Sequence, residues 1–364
     1  MVRVAQVVGS LRTGGVETMV VNCYKAIDKS RVQFDFIVHT PEKQPHEDEI
    51  IAMGGRVFHF PRFSGFNVIK IRSMWKRFFR EHPEITVLHS HIRSYASVYL
   101  PIAKRFGVKT LVHSHSTSNG KGFSALFKTL LQYPLRYQAD RCIACSREAG
   151  EWLFGKKSIE NGKCLILGNA VDTQVFRFDP LLRESTRAQE GLEGKKVYIH
   201  VGRLNEAKNH LFLLDVFAGI LKKQENSVLL IVGSGSMEKA ILQKISALGI
   251  GKNVRLLGSR NDVNALLQAA DCFLFPSLWE GAPLSLIEAQ TAGLPCLISD
   301  RITKDVVISP LVRSLSIESA QVWADEALRE TPERSDLSGI AETSGFGIQT
   351  FAKKLESIYL SGLN

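Results

Sequence analysis

The segment FPSLWEGAPLSLIEAQTAG, at residues 275–293, decides the fold of the second half of this chain. The apolar run CFLFPS at its start is typical of a buried strand, and Pro283 is favoured at the first turn of a helix. That helix is expected to end near Ala292, because Gly293 can adopt the left-handed cap conformation and Pro295 cannot continue a helix. LPCLIS then predicts another buried strand.

Two glutamates divide this segment. Glu280 lies in the loop at the carboxyl end of the strand, and Glu288 lies roughly one and a half turns into the helix at about 3.6 residues per turn. In an open parallel sheet, ligands bind at this edge. The alternative is that Glu288 is an ordinary exposed helix residue and that Glu280 favours the positive helix start. Position alone leaves both interpretations open.

Length and composition indicate an ordinary globular protein. The chain has 364 residues, enough for two domains of about 150 to 200 residues. No apolar run approaches the roughly 20 residues that cross a bilayer, and MVRVAQVVGS lacks the pattern of a secretion signal, so we expect a cytoplasmic protein. Six cysteines do not indicate a disulfide framework in a chain this long. Cys142 and Cys145 lie three apart on a predicted strand and point to opposite faces, which disfavours a metal or redox pair.

The net charge of +10 is unevenly distributed. Residues 1–170 carry +12, and the remainder carries −2. Nucleic acid, an anionic membrane surface and an anionic substrate would each fit this excess.

Two basic segments also contain aromatic residues. Residues 70–84 predict an amphipathic helix, whose apolar face holds Ile71, Trp75, Phe78 and Phe79. Residues 122–138 mix aromatic side chains with Lys128 and Arg136. Either the apolar faces pack on their own domain and the bases are solvated, or the helices dock on anionic lipid headgroups.

Strands and helices alternate through both halves. RVAQVV precedes a glycine-bearing turn and a helix, and FDFIVHT, TVLHSH, TLVHSHS and RCIACS predict later strands. In the second half, KVYIHVG, SVLLIVG, NVRLLG and CFLFPS predict strands. The helix after KVYIHVG is predicted to bury one face at Leu211, Leu214, Ala218 and Leu221. This alternation predicts an α/β protein of two doubly wound, Rossmann-like domains.

Domain boundaries follow from the same pattern. The seam is expected near LGNAVDTQVF, between a strand and a polar stretch. We therefore expect a first domain at residues 1–170, a second at 171–345, and a final helical segment at 346–364.

Glycine-rich turns do not match the two common phosphate-binding fingerprints. In GSLRTGGV, Gly15 and Val16 stand where a P-loop needs Lys and Ser or Thr. In GSGSME, Gly233 and Gly235 are followed by Glu238 at the place of the third glycine of a dinucleotide fingerprint. Neither an ATPase nor an NAD enzyme is supported. Each turn still feeds a helix, where an anion can bind, although such turns also serve tight packing.

VGRLNEAKNH places Arg203 and Lys208 after a predicted strand and beside the positive end of a helix. Two cations and free N–H donors make a site for a diphosphate without a metal. The alternative is exposed loop charges without a ligand.

Histidine pairs lie at two predicted strand ends, His89 with His91 and His113 with His115. One member of each pair should point toward the sheet edge. Zinc binding by all four would need a convergence that the sequence does not show. No Asp-x-Asp element at a strand end indicates a divalent metal site, so we expect no metal.

These motifs together resemble the family-4 retaining glycosyltransferases of the GT-B fold. The resemblance covers nearly the whole chain and rests on GSLRTGGVE, VHSHS, NAVD, VGRLNEAKNH, LLIVGSGS and the E-x7-E signature EGAPLSLIE. The subgroup it resembles is the bacterial capsular and exopolysaccharide glycosyltransferases, whose pattern includes a similar FPS-x-x-EG-x-P stretch. The resemblance implies two facing Rossmann-like domains and a final helix that crosses back to the first domain.

Roles at matching positions follow from the resemblance. Glu288 would accept hydrogen bonds from the donor ribose hydroxyls, and Glu280 would approach the donor sugar. Arg203 and Lys208 would neutralise the diphosphate as its bond to the sugar breaks. His115, rather than His113, would face the donor sugar.

The full implied set is larger. Gly14 and Gly15 would let the amino-terminal loop approach the diphosphate, and the loop that follows Glu280 would offer N–H groups. The implied catalytic residues are Glu280, His115, Arg203 and Lys208. The implied donor-binding residues are Gly14, Gly15, Arg203, Lys208, Gly233, Gly235, Glu280, Gly281, Ala282, Pro283, Leu284 and Glu288.

The implied function is retaining, metal-independent transfer of a hexose from a nucleotide sugar, expected to be a UDP-hexose, to a glycan or lipid-linked glycan in surface polysaccharide synthesis. The first domain would bind the acceptor, no cofactor is expected, and the protein would work in the cytoplasm or on the inner face of the plasma membrane. A nucleotide-sugar epimerase of the same architecture is the main alternative. A basic nucleic-acid-binding protein is suggested only by the net charge, since no recognition motif is present. A non-catalytic subunit of the same fold is disfavoured, because Arg203, Lys208, Glu280 and Glu288 are all present.

Overall fold

The computed structural model describes residues 1–11, 15–116, 123–330 and 333–361. The chain divides into two compact units. The first unit combines Met1–Ala170 with Ile348–Asn364, and the second unit is Val171–Gly347. The second unit therefore extends two residues beyond the end expected from the sequence.

In the described part of the first unit, seven parallel strands form one sheet. They are β1 (Val2–Val7), β2 (Val32–Val38), β3 (Arg56–His59), β4 (Ile85–Ser90), β5 (Lys109–Ser114), β6 (Arg141–Ala144) and β7 (Cys164–Ile166). Their order is β3-β2-β1-β4-β5-β6-β7, and each neighbouring pair is parallel. The order reverses between β1 and β4, which is the switch point where doubly wound sheets bind ligands.

Helices connect these strands. They are α1 (Gly15–Ala26), α2 (Glu47–Ala52), α3 (Val68–Glu81), α4 (Ala96–Arg105), α5 (Phe123–Gln132), α6 (Leu135–Gln138), α7 (Arg147–Phe154) and α8 (Lys156–Glu160). The amphipathic helix predicted in residues 70–84 is α3, and its apolar face is buried in its own unit, which is the first of the two alternatives left open by the sequence. The second basic segment forms two helices, α5 and α6, since Pro134 starts a new one.

The second unit repeats the plan, with six parallel strands among the residues placed by the structure. They are β8 (Lys196–Val201), β9 (Ser227–Val232), β10 (Val254–Gly258), β11 (Cys272–Phe275), β12 (Cys296–Ser299) and β13 (Val312–Leu315). Their order is β10-β9-β8-β11-β12-β13, and the neighbouring pairs are parallel. The switch point of this sheet lies between β8 and β11.

The helices of the second unit are α9 (Thr173–Phe176), α10 (Pro180–Gln189), α11 (His210–Leu221), α12 (Glu238–Leu248), α13 (Val263–Ala269), α14 (Leu284–Thr291), α15 (Ala320–Ala327) and α16 (Ser338–Thr343). Short 3₁₀ turns lie at Glu206–Lys208 and Lys304–Val306. The chain enters and leaves this unit at adjacent points, because Val171 and Gly347 form an isolated parallel bridge.

The predicted buried face of α11 is largely wrong. Leu211 is 37% exposed, and Ala218 and Leu221 are only partly buried. The buried face of α11 instead consists of His210, Leu213, Leu214, Val216, Phe217 and Ile220. Because HLFLLDVFAGIL is apolar on nearly every side, its periodicity does not fix which side faces the sheet.

The last helix, α17 (Ile348–Leu360), belongs to the first unit and packs against α1 and β1. It buries Ile348, Phe351, Leu355 and Tyr359. Its Glu356 pairs with Arg31, at 2.6 Å between oxygen and nitrogen. The expectation of an α/β protein with two Rossmann-like domains is thereby confirmed. None of the helices in the described residues combines the length and hydropathy needed to span a bilayer.

Candidate active site

The predicted cationic loop and the E-x7-E segment meet at the switch point of the second unit. The loop that carries Arg203 and Lys208 follows β8, and the loop that carries Glu280 follows β11. Since β8 and β11 are neighbours in the sheet, their carboxyl ends bring the two loops together. The backbone N–H of Leu278 donates to the carbonyl of Ala207 at 2.7 Å and ties the loops to each other.

Lys208 and Glu280 form an ion pair inside this edge. The Nζ–Oε1 distance is 2.7 Å, and the side chains are 12% and 15% exposed. Among the described residues, Oε1 of Glu280 has no hydrogen bond of good geometry. The two charges are therefore close, but no hydrogen bond fixes their orientation. The Lys208 ammonium also lies over the ring of Phe275, 4.4 Å from its centroid. A carboxylate and an aromatic face therefore hold one ammonium at the sheet edge.

Glycines let the neighbouring loops approach one another. A Cβ on Gly202 would lie 2.7 Å from Cε of Lys208, so glycine leaves the path of that side chain open. A Cβ on Gly233 would lie 2.0 Å from the carbonyl oxygen of Gly202, and one on Gly235 would lie 2.4 Å from that of Leu204. The two glycines of GSGSME thus pack their loop backbone-to-backbone against the cationic loop. The geometry supports the packing interpretation, and their contact with a donor stays a prediction.

Arg203 is exposed on the same loop, one residue beyond Gly202. Its guanidinium has no ion-pair partner among the residues described. On a loop that carries both, an exposed guanidinium can bind a phosphate bidentately while a buried ammonium acts as a point charge.

Glu288 lies in the second turn of α14, partly exposed to solvent. Burial of its carboxyl raises the pKa of Glu288 to about 7, and no side chain in the described residues pairs with it. The helix begins at Leu284, one residue later than predicted, because Pro283 is extended and occupies the cap position. No side chain caps this end of the helix. Gly281 and Ala282 form the bend that leads to it.

Two buried polar atoms at the carboxyl ends of β8 and β11 have no hydrogen-bond partner in the described part of the chain. They are the Ser277 hydroxyl and His200 Nε2, both in fully buried residues. Nδ1 of His200 is bonded to the carbonyl of Leu274 at 2.8 Å, which fixes the ring beside Gly202. Buried groups of this kind are normally satisfied, so their concentration here marks a place for a polar ligand or water.

His115 lies in the first unit, one residue beyond β5. Its Nδ1 is bonded to Asn169 Oδ1 at 3.0 Å, and its Nε2 to Nδ1 of His91 at 2.9 Å. Burial lowers the pKa of His115 to about 4, so the imidazole is neutral near pH 7. His113 is fully buried, whereas His115 is partly exposed. This difference favours His115 as the member of the pair that can meet a ligand.

The chain of contacts from His115 continues to the last helix. His91 Nε2 is bonded to Gln6 Oε1 at 3.0 Å, and the Gln6 amide donates to the Tyr359 hydroxyl at 3.1 Å. That hydroxyl is also bonded to His89 Nδ1 at 2.6 Å. The end of α17 therefore helps to orient the histidines at the carboxyl edge of the first sheet.

Three of the four histidines converge. Ligating nitrogens of His89, His91 and His113 lie within 4.8 Å of one another. Both nitrogens of His91 and one of His89 already have protein partners, which describes a hydrogen-bonded network. Zinc–nitrogen bonds of about 2.0 to 2.1 Å would require these rings to move closer together. Independence from metal stays a prediction.

The predicted set is thus spread over both units. Gly15 is the first residue of α1 and lies in the first unit with His115, and Gly14 lies outside the described residues. The other predicted site residues lie in the second unit.

Sequence reasoning considered His91 only as one member of a histidine pair, and it missed several other residues that shape these sites: Gln6, Asn169, Tyr359, Phe275 and Ser277. One signal was available, since Gln6 is a polar residue in the middle of the apolar strand VRVAQV. Tyr359 carried no such signal, because an aromatic residue on an amphipathic helix is ordinarily part of a core.

Comparison with solved structures defines the class of fold. The chain matches Anabaena HepE, solved in complex with UDP and glucose, with a TM-score of 0.80 at 17% identity, over 99% of this chain and 100% of HepE. At this identity the likeness shows the fold alone, which is GT-B.

Family models match both units. The model described as Glycosyltransferase Family 4 matches residues 13–175, and the model described as Glycosyl transferases group 1 matches residues 183–327.

Curated relatives extend the comparison. EpsF of Bacillus subtilis, a protein described as a glycosyltransferase, is 31% identical over 98% of this chain and 96% of its own length. The UDP-Gal:alpha-D-GlcNAc-diphosphoundecaprenol alpha-1,3-galactosyltransferase of Escherichia coli is 29% identical over 74% of this chain and 72% of its own. The capsular polysaccharide biosynthesis glycosyltransferase CapH of Staphylococcus aureus is 23% identical over 99% of both chains. The chain belongs to the family-4 glycosyltransferases and resembles their capsular and exopolysaccharide members.

Proposed function

We propose that this glycosyltransferase moves a hexose from a UDP-hexose to a glycan or lipid-linked glycan, with retention of anomeric configuration and without a metal. The observation that carries the proposal is the Lys208–Glu280 pair at the switch point of the second unit. Support for the nucleotide comes from HepE, whose structure holds UDP, and from the E. coli relative, which is named for UDP-Gal.

The donor diphosphate would bind at the cationic loop. Arg203 has no ion-pair partner among the described residues, and Lys208 shares its charge with a single carboxylate and the Phe275 ring. Both cations would offset the negative charge that develops on the diphosphate as the sugar leaves, which is the role a metal would otherwise have. Glu280 would then release part of its contact with Lys208 and face the sugar.

Glu288 would accept hydrogen bonds from the ribose hydroxyls. Its carboxyl is desolvated and has no side-chain partner in the described residues, so a pair of hydroxyl donors would stabilise its ionised form. The uncapped start of α14 and the bend at Gly281 would supply backbone N–H groups to the same donor.

His115 would contribute from the first unit as a neutral imidazole, oriented by His91 and Asn169. The first unit would bind the acceptor. A lipid-linked acceptor is supported by the E. coli relative, whose name specifies a diphosphoundecaprenol substrate.

Donor binding and turnover test the assignment. Lys208→Ala and Glu288→Ala should each raise the Kd for UDP-hexose by about tenfold or more, since each removes a charged contact, and should lower sugar transfer. The matched controls are Lys252→Ala and Glu318→Ala, at exposed positions of the same unit. Thermal stabilisation by a panel of nucleotide sugars would name the donor, because a ligand of the native state raises its melting temperature. Unchanged UDP-hexose binding and unchanged sugar transfer in both site variants would disprove the proposal.

Product analysis separates transfer from epimerisation. A glycosyltransferase incubated with UDP-hexose and no acceptor releases UDP slowly, whereas an epimerase converts the hexose to its epimer and leaves the nucleotide sugar intact. The anomeric configuration of the transferred sugar, read by NMR, tests retention, and full activity in excess EDTA tests metal independence.

We also propose peripheral contact with an anionic membrane, at the inner face of the plasma membrane, through the basic side of α3. The apolar face of this helix, with Ile71, Trp75, Phe78 and Phe79, is buried in its own unit, so this contact would use the basic side chains rather than that face. Four of its cations are exposed and have no ion-pair partner in the described residues: Lys70, Arg72, Lys76 and Arg80. Arg77 is different, because it pairs with Glu81 at 2.7 Å.

Binding to vesicles of phosphatidylglycerol tests this contact. Joint replacement of Lys76, Arg77 and Arg80 by Glu should abolish binding at low salt, since each basic residue near an anionic surface contributes about 1 kcal/mol. Equal binding by the wild type and the triple variant would contradict the proposal. Binding that survives in vesicles without anionic lipid would also contradict it.

A further inference from the structure

The first unit contains a cavity whose lining includes none of the residues proposed to bind the donor. It encloses about 590 Å³, within the ordinary range of small-molecule sites. Its wall includes Gly9 after β1, His39 after β2, Arg62 after β3 and Tyr95 after β4. The cavity therefore lies at the switch point between β1 and β4, where a doubly wound sheet is expected to bind a ligand.

The charge of the cavity selects an anion. Arg62 and Lys128 line it, both are exposed, and neither has an ion-pair partner among the described residues. No aspartate or glutamate is part of the described lining, and the sequence between Glu84 and Asp140 contains none. A guanidinium suits bidentate binding of phosphate, and a lysine ammonium adds a point charge.

The rest of the wall suits a sugar. Phe63 stacks on Tyr95 with centroids 4.8 Å apart and an interplanar angle of 14°, which makes a flat apolar surface. Three hydroxyl-bearing residues, Ser10, Thr40 and Ser94, line the same cavity. A few polar groups beside aromatic faces are the usual composition of a site for a small polar molecule.

Exposed apolar side chains border this cavity in two segments. One is α5, and the other is the chain from the cavity residue Gly65 into the start of α3. We call their side chains the apolar rim: Phe66, Ile69, Leu126, Phe127 and Leu130, each more than half exposed. Phe127 also lines the cavity, so the rim is continuous with it. An apolar surface beside basic residues is the composition of a segment that lies at a lipid interface.

We propose that the cavity binds the diphosphate and first sugar of a lipid-linked acceptor, with Arg62 and Lys128 on the diphosphate and the apolar rim in the bilayer that holds the lipid chain. This inference rests on the proposed function and specifies the acceptor of that reaction. A neutral glycan would leave both cations without a partner, and a free anion would leave the apolar rim uncovered. A lipid diphosphate would supply an anion to the two cations and an apolar chain beside the rim.

Vesicle binding tests the inference with three probes. The first is a phosphatidylcholine vesicle that carries a polyprenyl diphosphate, the second carries phosphatidylglycerol at equal surface charge, and the third is inorganic diphosphate in solution. The wild type should bind the first about tenfold more tightly than the second, as expected for charge-assisted phosphate contacts. The double variant Arg62→Ala/Lys128→Ala should lose this preference. The double variant Phe127→Ser/Leu130→Ser should bind both kinds of vesicle more weakly and leave competition by inorganic diphosphate unchanged.

Controls separate the cavity from general charge. Arg105→Ala/Lys109→Ala removes two exposed cations of the same unit outside the cavity and should retain the preference. Every variant should bind UDP-hexose like the wild type, since the donor residues of the second unit are untouched.

Three results would overturn the inference. They are equal binding of the two vesicles by the wild type, a preference that survives in Arg62→Ala/Lys128→Ala, and inorganic diphosphate that competes at the same concentration as the lipid. A wild type that binds UDP-hexose and fails these tests disproves the acceptor site alone. A wild type that does not bind UDP-hexose disproves the proposed function instead.

Discussion

At the scale of single residues, the two glutamates of EGAPLSLIE have different environments. Glu280 lies 2.7 Å from an ammonium, whereas Glu288 has no charged side-chain partner in the described residues, and burial raises its pKa to about 7. Their spacing therefore separates a loop carboxylate paired with an ammonium from a carboxyl on a helix whose pKa lies near 7. One motif thus supplies two groups with different chemistry.

Replacement of Glu288 by glutamine tests this difference through stability. The pKa in the folded state, about 7, exceeds the ordinary 4.5, so the folded state binds the proton more tightly. The stability tied to that proton is complete below about pH 4.5 and is lost as pH rises through 7. Glu288→Gln carries no charge and should therefore raise the free energy of unfolding at pH 8 by on the order of 2 kcal/mol, with little change at pH 4. Thermal unfolding at both pH values measures this, with Glu318→Gln as the control.

The same substitution should weaken the donor complex. Ribose hydroxyls would donate to the ionised carboxylate, so the affinity of the wild type for UDP-hexose should rise by up to about tenfold between pH 6 and pH 8. Glu288→Gln should show a flat pH profile and a higher Kd. A variant that is neither more stable at pH 8 nor altered in this profile would show that Glu288 is an ordinary helix residue.

At the scale of helices, α3 and α5 show what an amphipathic pattern predicts and what it leaves undetermined. Both mix aromatic residues with bases, and the sequence leaves open whether their apolar faces are covered. The face of α3 is buried, because Trp75 stacks on Tyr99 of α4 and Phe78 packs edge-on against Phe58 of β3. The apolar face of α5 remains exposed. Periodicity selects a face, but only the neighbouring elements decide whether that face meets protein or solvent.

Helix boundaries follow from local sequence, whereas the buried face of a helix depends on the elements that pack against it. The end of α14 and the left-handed Gly293, with φ of 62°, follow the local prediction, because cap chemistry acts within a few residues. The buried side of α11 was predicted wrongly, since a helix that is apolar all round contains no information about its orientation. The polar stretch after the seam folds into α10, where Asp179 accepts hydrogen bonds from the N–H groups of Leu181 and Leu182.

At the scale of the whole molecule, α17 makes the first unit depend on the end of the chain. Its apolar side chains are buried in that unit, and its Tyr359 joins the network that orients His91 and His89. Each such side chain contributes about 1.5 to 3 kcal/mol on burial, so four of them approach the entire stability of a domain.

Deletion of Ile348–Asn364 should therefore unfold the first unit at ambient temperature. Calorimetry should show loss of one transition and retention of another that UDP-hexose shifts upward, because the donor residues lie in the second unit. The matched control is Glu356→Ala, which removes the ion pair to the exposed Arg31 and should cost no more than about 1 kcal/mol. Two unchanged transitions in the truncated protein would contradict this dependence.

The amino-acid sequence by itself determined the α/β class, the strands on either side of the E-x7-E segment, and the residue types of the cationic loop. These follow from local periodicity, cap residues and glycine positions, which act over a few residues. Only the tertiary structure decided that Lys208 pairs with Glu280, that Gly202 leaves room for it, and that Gln6 and Tyr359 join the histidines. Those contacts connect residues far apart in the chain, and they depend on which strands are neighbours in each sheet. A strand order that reverses at one point places distant loops side by side, and no short segment of sequence encodes that order.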